Sequence, residues 1–209
     1  MISKNRKESD RLMKHILCFG DSLTYGYAAQ DGGRLAAEAR WTSCLAALLG
    51  SEYKLIAEGL NGRTVGHYDS IWPERNGVDV FPSYLQRHTP LSLIIILLGT
   101  NDILYSGAET VGDDMDTLLA QAAEFAPQAK VLLLTPPLQD TDAQTDRMLR
   151  RLATCYRELA QQRGTYFVNC QDWDLPLDID GCHLCAAGQR SLARHLAEVI
   201  KTLELNDSL

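Results

Sequence analysis

Short apolar runs alternate along the chain with stretches rich in Ala, Leu, Gln and Arg. Runs at residues 15–19, 53–57, 93–98, 130–135 and 165–169 read as β-strands, and the stretches between them read as helices. The run Leu93-Ile94-Ile95-Ile96-Leu97-Leu98 has no polar interruption, as expected of a central parallel strand covered on both faces. After Asp142, Leu149, Leu152, Tyr156 and Leu159 recur at helical spacing, and Leu192, Leu196, Val199 and Ile200 do the same near the end. Both stripes predict helices facing a core. The alternation implies an α/β fold of three layers, α/β/α, around a mainly parallel five-stranded sheet. Residues 65–90, with Tyr68, Trp72, Pro73, Pro82 and Tyr84, read as a long irregular connection, a kind of segment that is often functional.

Composition narrows the class. A chain of 209 residues, 45% of them hydrophobic, can bury one sizeable core, so residues 14–209 are expected to form a single domain, preceded by a disordered leader over 1–13. The leader is polar and charged with no apolar stretch, which does not suit a secretory signal, and Met13 is an alternative start. No run reaches membrane-spanning length. The net charge of −7 sets nucleic acid aside as a partner. A cytoplasmic protein without membrane association is the resulting expectation. The cysteines at 18, 44, 155, 170, 182 and 185 do not form a compact extracellular framework and are expected to be thiols. Cys182-His183-Leu184-Cys185 offers two thiols and an imidazole, but with no second Cys/His cluster to complete four ligands it predicts no metal.

The chemistry concentrates at strand ends. Gly20-Asp21-Ser22-Leu23-Thr24-Tyr25-Gly26 follows the first apolar run, so Ser22 falls at the carboxyl end of a strand, where open α/β sheets bind ligands. The flanking glycines permit a sharp strand-to-helix turn. A serine hydroxyl needs an imidazole to take its proton and a third group to fix that imidazole. Of the five histidines, His15 lies at the entry to the first strand, His67 and His88 flank the loop-rich stretch, and His195 falls inside an amphipathic helix. His183 instead sits in the polar turn Asp178-Ile179-Asp180-Gly181-Cys182-His183, where Asp180 can face it across one turn. Gly99-Thr100-Asn101-Asp102 follows the central strand and can aim the Asn101 amide at the same crevice as an oxyanion donor, although such residues also serve simply as turn formers. Gly59-Leu60-Asn61-Gly62-Arg63-Thr64 follows the second strand and by itself reads as an ordinary turn.

The order and spacing of these four segments resemble the SGNH hydrolases, also called GDSL esterases and lipases, over nearly the whole chain from residue 14. The resemblance implies a flavodoxin-like fold and no cofactor. It implies Ser22 as nucleophile, His183 as base and Asp180 as its orienter. It further implies an oxyanion hole made by the Ser22 and Gly62 main-chain N–H groups and the Asn101 side chain. Glu58-Gly59-Leu60-Asn61-Gly62-Arg63-Thr64, Pro73-Glu74-Arg75-Asn76-Gly77 and Arg40-Trp41-Thr42 look like the arylesterase and acyltransferase branch, which implies small short-chain esters as substrates and a homo-oligomer. Ala57-Glu58 stands where the wider family carries an Asn several residues before its glycine block, so substrate details of lipase-like members do not transfer. Asp21, Tyr25, Tyr27 and Trp72 are the candidate substrate contacts; the aromatics of 65–90 can equally bury a subunit interface. Two other readings remain at this point. A carbohydrate O-acetylesterase would use the same triad, and a non-catalytic, flavodoxin-like nucleotide or ligand binder would use the Gly20 to Gly26 turn as an anion cradle.

Overall fold

The computed structural model describes residues 13–67, 69–105, 111–138, 142–203 and 205. The expected leader, apart from Met13, lies outside the described residues, as does Tyr68. Strands β1 (Lys14–Gly20), β2 (Tyr27–Ala28), β3 (Gly33–Arg34), β4 (Tyr53–Gly59), β5 (Leu93–Leu97), β6 (Lys130–Leu134) and β7 (Tyr166–Val168) follow one another along the chain. Five of them form one sheet in the order β4-β1-β5-β6-β7. Every neighbouring pair in it is parallel. The remaining two, β2 and β3, make a small antiparallel ribbon that the hydrophobic pattern does not announce, because two-residue strands carry no periodicity.

Side chains alternate across the sheet and feed two cores. Leu17, Phe19, Ile94, Ile96 and Leu133 pack on one face against Phe81, Leu85, Met115, Leu118, Leu152 and Tyr156. Ile16, Cys18, Ile95, Leu132 and Leu134 pack on the other face against Leu45, Leu192, Leu196 and Ile200. The helices are α1 (Ser22–Tyr25), α2 (Trp41–Leu49), α3 (Gly77–His88), α4 (Thr100–Tyr105), α5 (Val111–Phe125), α6 (Ala143–Arg163) and α7 (Ala186–Thr202). Helices α3, α5 and α6 cover the first face, and α2 and α7 cover the second. The three-layer arrangement is thus the one the alternation of runs requires.

Residues 65–90 depart from the irregular connection expected, because α3 occupies their second half. Pro82 masks the helix in the sequence. A proline inside a helix leaves the carbonyl four residues back without its donor. Here that carbonyl, on Val78, accepts instead from the Gln121 Nε2 of α5 at 3.0 Å. Asn76 caps the same helix by accepting from the Asp79 N–H. The tertiary partner that makes the proline tolerable lies 43 residues from Val78 in sequence and is invisible to local pattern.

The two ends of the site are tied together by buried polar bonds. Gln189 of α7, 1% exposed, accepts from the Trp41 N–H at 2.7 Å and donates to the Leu23 carbonyl at 3.3 Å. It thereby satisfies the first N–H of α2, which no intrahelical acceptor can reach, and clamps α1 to the last helix.

Candidate active site

Ser22 opens α1 directly behind β1. Its turn is held by Asp21, whose Oδ1 accepts from the Leu23 N–H at 2.9 Å. Asp21 is fully buried and caps the helix that carries Ser22. The turn also rests on Gly59 at the end of β4, where an added Cβ would collide with the backbone of Thr24 and Tyr25. That close approach explains the glycine there.

His183 belongs to a closed loop between β7 and α7. The loop is shut by a bridge between Leu177 and Leu184 and by the Asp178 N–H donating to the His183 carbonyl at 2.6 Å. Inside it, Asp180 Oδ1 accepts from the N–H groups of Cys182 and His183, each at 3.0 Å. Its Oδ2 lies 2.6 Å from His183 Nδ1. The other ring nitrogen, Nε2, is 2.9 Å from Ser22 Oγ. Burial raises the Asp180 carboxyl, but the hydrogen bonds from His183 and Cys182 and the imidazole outweigh it and leave the group below its ordinary value. An ionised carboxylate only accepts, so in the neutral imidazole Nδ1 carries the proton and Nε2 is left to accept from the Ser22 hydroxyl. Such a chain can take a proton from serine and hold the imidazolium that results.

A second loop is tied to the serine turn by the Leu60 N–H, which donates to the Gly20 carbonyl at 3.1 Å. Gly62 has a φ of 77°, a left-handed conformation that side chains resist. Asn101, in the first turn of α4, donates from Nδ2 to the Arg63 carbonyl at 2.8 Å. That bond uses one of the two amide hydrogens and leaves the other for a ligand. Both oxygens of Asp102 accept from the Val65 N–H, at 3.0 and 3.1 Å. Two consecutive side chains of α4 therefore pin the segment beginning at Gly62.

Of the aromatic candidates, Tyr27 packs its ring on the His183 imidazole with centroids 4.5 Å apart. Its ribbon is tied to the histidine loop by Asp178, whose carboxylate accepts from the Ala29 N–H at 3.2 Å and from Gln30 Nε2 at 3.4 Å. Tyr25 is instead covered by the Arg34 guanidinium, 4.2 Å from its ring centre. Trp72 is 48% exposed and lies under Arg75, which packs against Gly62. His88 ends α3 and pairs with Glu58 at 2.7 Å, and His195 stacks on Trp173. Burial, reinforced by the charges of Asp180 and Asp21, pushes the Cys182 thiol up to about 11, so it stays protonated at neutral pH. Asp102, Asp178 and Arg63 escaped sequence reasoning as site residues; their positions inside the asparagine, histidine and glycine blocks were the only signal.

Two buried carboxyls give the site a pH signature. Burial raises Asp21 from 3.8 to about 6, against the Leu23 N–H and the Arg63 charge. Burial raises Asp102 to about 7; the Val65 N–H opposes this and the Asp21 charge adds to it. Both groups bind protons more tightly folded than unfolded. Their stabilising contribution is therefore complete below the unfolded value near 3.8 and is lost as pH rises through about 6 and about 7. The thermal midpoint of Asp102→Asn, measured from about pH 5 to about pH 7.5, should fall less steeply with pH than that of wild type. Equal slopes would refute the assignment.

The model of the GDSL-like lipase/acylhydrolase family matches residues 18–191. The native aryl esterase of M. smegmatis is similar at 34% identity, with 91% of this chain and 99% of that one covered and a TM-score of 0.82. A carbohydrate acetylesterase family member from Sinorhizobium meliloti is 35% identical over 90% of this chain and 98% of its own, with a TM-score of 0.80. Est24, a carbohydrate acetylesterase from the same organism, is 31% identical over 90% and 98%, with a TM-score of 0.81. No curated protein matches the chain.

Proposed function

The chain belongs to the GDSL-like lipase/acylhydrolase family and is a carboxylic ester hydrolase; from that premise we propose that it cleaves small short-chain esters through Ser22, His183 and Asp180. The observation that carries this reading is the unbroken path from Ser22 Oγ to His183 Nε2, and from His183 Nδ1 to Asp180 Oδ2. Ser22 Oγ attacks the ester carbonyl while its proton passes to Nε2. The carbonyl oxygen becomes an oxyanion, held by the Ser22 and Gly62 N–H groups and the second amide hydrogen of Asn101. A preorganised donor set of this kind lowers the barrier because its dipoles need no reorganisation as charge develops. His183 then protonates the departing alcohol, leaving an acyl-Ser22 that water, or a second alcohol, resolves. Asp180 fixes the imidazole throughout and is not itself protonated. No step calls for a cofactor.

Tyr27, Tyr25 and Trp72 are the proposed walls of the substrate pocket. Trp72 and the exposed Ile71 suit an acyl group or a second subunit, and a homo-oligomer, a cytoplasmic location and a single domain over residues 14–209 belong to the same proposal. Two of the similar structures are described as carbohydrate acetylesterases, which favours acetylated sugars as the second reading. The nucleotide-binding alternative gives the Ser22–His183–Asp180 contacts no role.

The test is hydrolysis of a chromogenic acyl-ester series from acetate to octanoate. Ser22-dependent activity that falls with chain length supports the small-ester reading. Rates that rise toward octanoate would overturn it in favour of a lipase-like pocket. Release of acetate from acetylated sugars, faster than from the chromogenic acetate, would move the second reading ahead.

A further inference from the structure

Arg63 is 1% exposed, yet among the described residues no carboxylate is one of its hydrogen-bond partners. Its Nη1 donates to the main-chain carbonyls of Gly20, at 2.9 Å, and Glu58, at 2.5 Å. Its Nη2 donates to the Tyr84 hydroxyl at 3.3 Å. The guanidinium lies 4.3 Å from the Phe19 ring centre and 5.3 Å from that of Tyr84. Burying a cation among carbonyls and rings is costly, and an apolar side chain of similar volume would fill the space with less penalty. What an apolar side chain would not do is join β1, β4 and α3 through one planar fork.

The elements it joins carry the proposed catalytic groups. Gly20 is the end of β1, two residues before Ser22, and its carbonyl also accepts from the Leu60 N–H at 3.1 Å. Arg63 follows Gly62 directly, and its own N–H donates to the Leu60 carbonyl at 3.1 Å, closing the turn that contains the Asn61–Gly62 peptide and so the Gly62 N–H. Its own carbonyl receives the Asn101 amide at 2.8 Å. Side chain and main chain of this one residue thus reach the nucleophile turn, the glycine donor and the asparagine donor, which come from three separate parts of the chain. Accepting the proposed function above, we infer that Arg63 is the positioning residue that holds the oxyanion donors in register with Ser22. It touches no substrate; it acts through Gly62, Asn101 and the Gly20 carbonyl.

Lysine keeps the charge but cannot reach several acceptors in one plane. Displacing a preorganised group by about 1 Å can cost on the order of 100-fold. Arg63→Lys is therefore expected to lower kcat for p-nitrophenyl acetate by about 100-fold with KM changed by less than about threefold. In an Asn101→Ala background the same replacement should cost less, because one of the donors it aligns is already gone. Leu196→Ala, in the opposite core, should lower the thermal midpoint at least as much while leaving kcat near wild type. Wild-type kcat in Arg63→Lys, or losses that simply multiply with those of Asn101→Ala, would overturn the inference, as would an equal kcat loss in Leu196→Ala. Should Arg63→Lys fail to fold, Tyr84→Phe removes only the acceptor of Nη2. It is expected to lower kcat several-fold at constant KM, and unchanged kcat there overturns the inference. Ser22→Ala run in parallel separates the two levels. Without Ser22-dependent hydrolysis in wild type, both the function and this role fall; with it, the Arg63 result stands or falls by itself.

Discussion

Ser22→Ala should lower ester turnover by about a million-fold while the thermal midpoint stays close to wild type. The size follows from what the hydroxyl supplies. It is the only protein atom of the proposed pathway that bonds to the acyl carbon, and no other nucleophilic side chain lies in hydrogen-bond contact with His183 Nε2 among the described residues. The residual rate is that of water at a site that still has its oxyanion donors. Folding should survive, because the helix turn is capped by Asp21 and tied by the Gln189 bond to Leu23, neither of which uses the serine side chain. His183→Ala should fall to a similar rate, and the double variant no further, since a nucleophile and its base act as one unit. Initial rates on p-nitrophenyl acetate, with enzyme prepared free of wild-type carry-over, measure all three. More than about 1% of wild-type turnover in Ser22→Ala, or multiplicative losses in the double variant, would remove Ser22 from the mechanism.

The sheet was legible because its central strands β1, β5 and β6 are largely apolar runs buried on both faces, whereas the edge strands β4 and β7 are only partly buried and show the pattern less cleanly. Ser22 and Asn101 were legible for a related reason: β1 and β5 are parallel neighbours, so residues just beyond these two apolar runs share the crevice at their carboxyl ends, whereas Gly62 follows β4 in what reads as an ordinary turn and came only with the family resemblance. His183 and Asp180 were legible as a polar turn before a helix. What the sequence hid are features fixed by partners distant along the chain. Helix α3 looks broken at Pro82 until Gln121 supplies the missing donor. Asp21 reads as a motif residue, and neither its full burial nor the bond its Oδ1 accepts from the Leu23 N–H is visible in local pattern. Arg63 reads as a polar loop residue, and only the packing of Phe19 and Tyr84 around it shows that the loop is held from within.

Asp180→Asn separates orientation from charge. The carboxylate has two duties: Oδ1 receives the Cys182 and His183 N–H groups, and Oδ2 receives Nδ1. An asparagine can keep the first by placing its oxygen at Oδ1, which preserves the turn. Its amide then points donors at Nδ1, so Nδ1 must become the acceptor and Nε2 must carry the proton. An Nε2–H cannot accept from Ser22, and the base is disabled although every heavy atom stays in place. The expected result is a kcat loss of about 10,000-fold with KM and thermal midpoint little changed. A loss below about tenfold would mean that Asp180 serves only the turn, since the turn is the one duty asparagine retains. Because its hydrogen bonds hold the Asp180 carboxyl below its ordinary value, the carboxylate remains ionised throughout the neutral range. The defect of Asp180→Asn is therefore not expected to be relieved by changing the pH within that range.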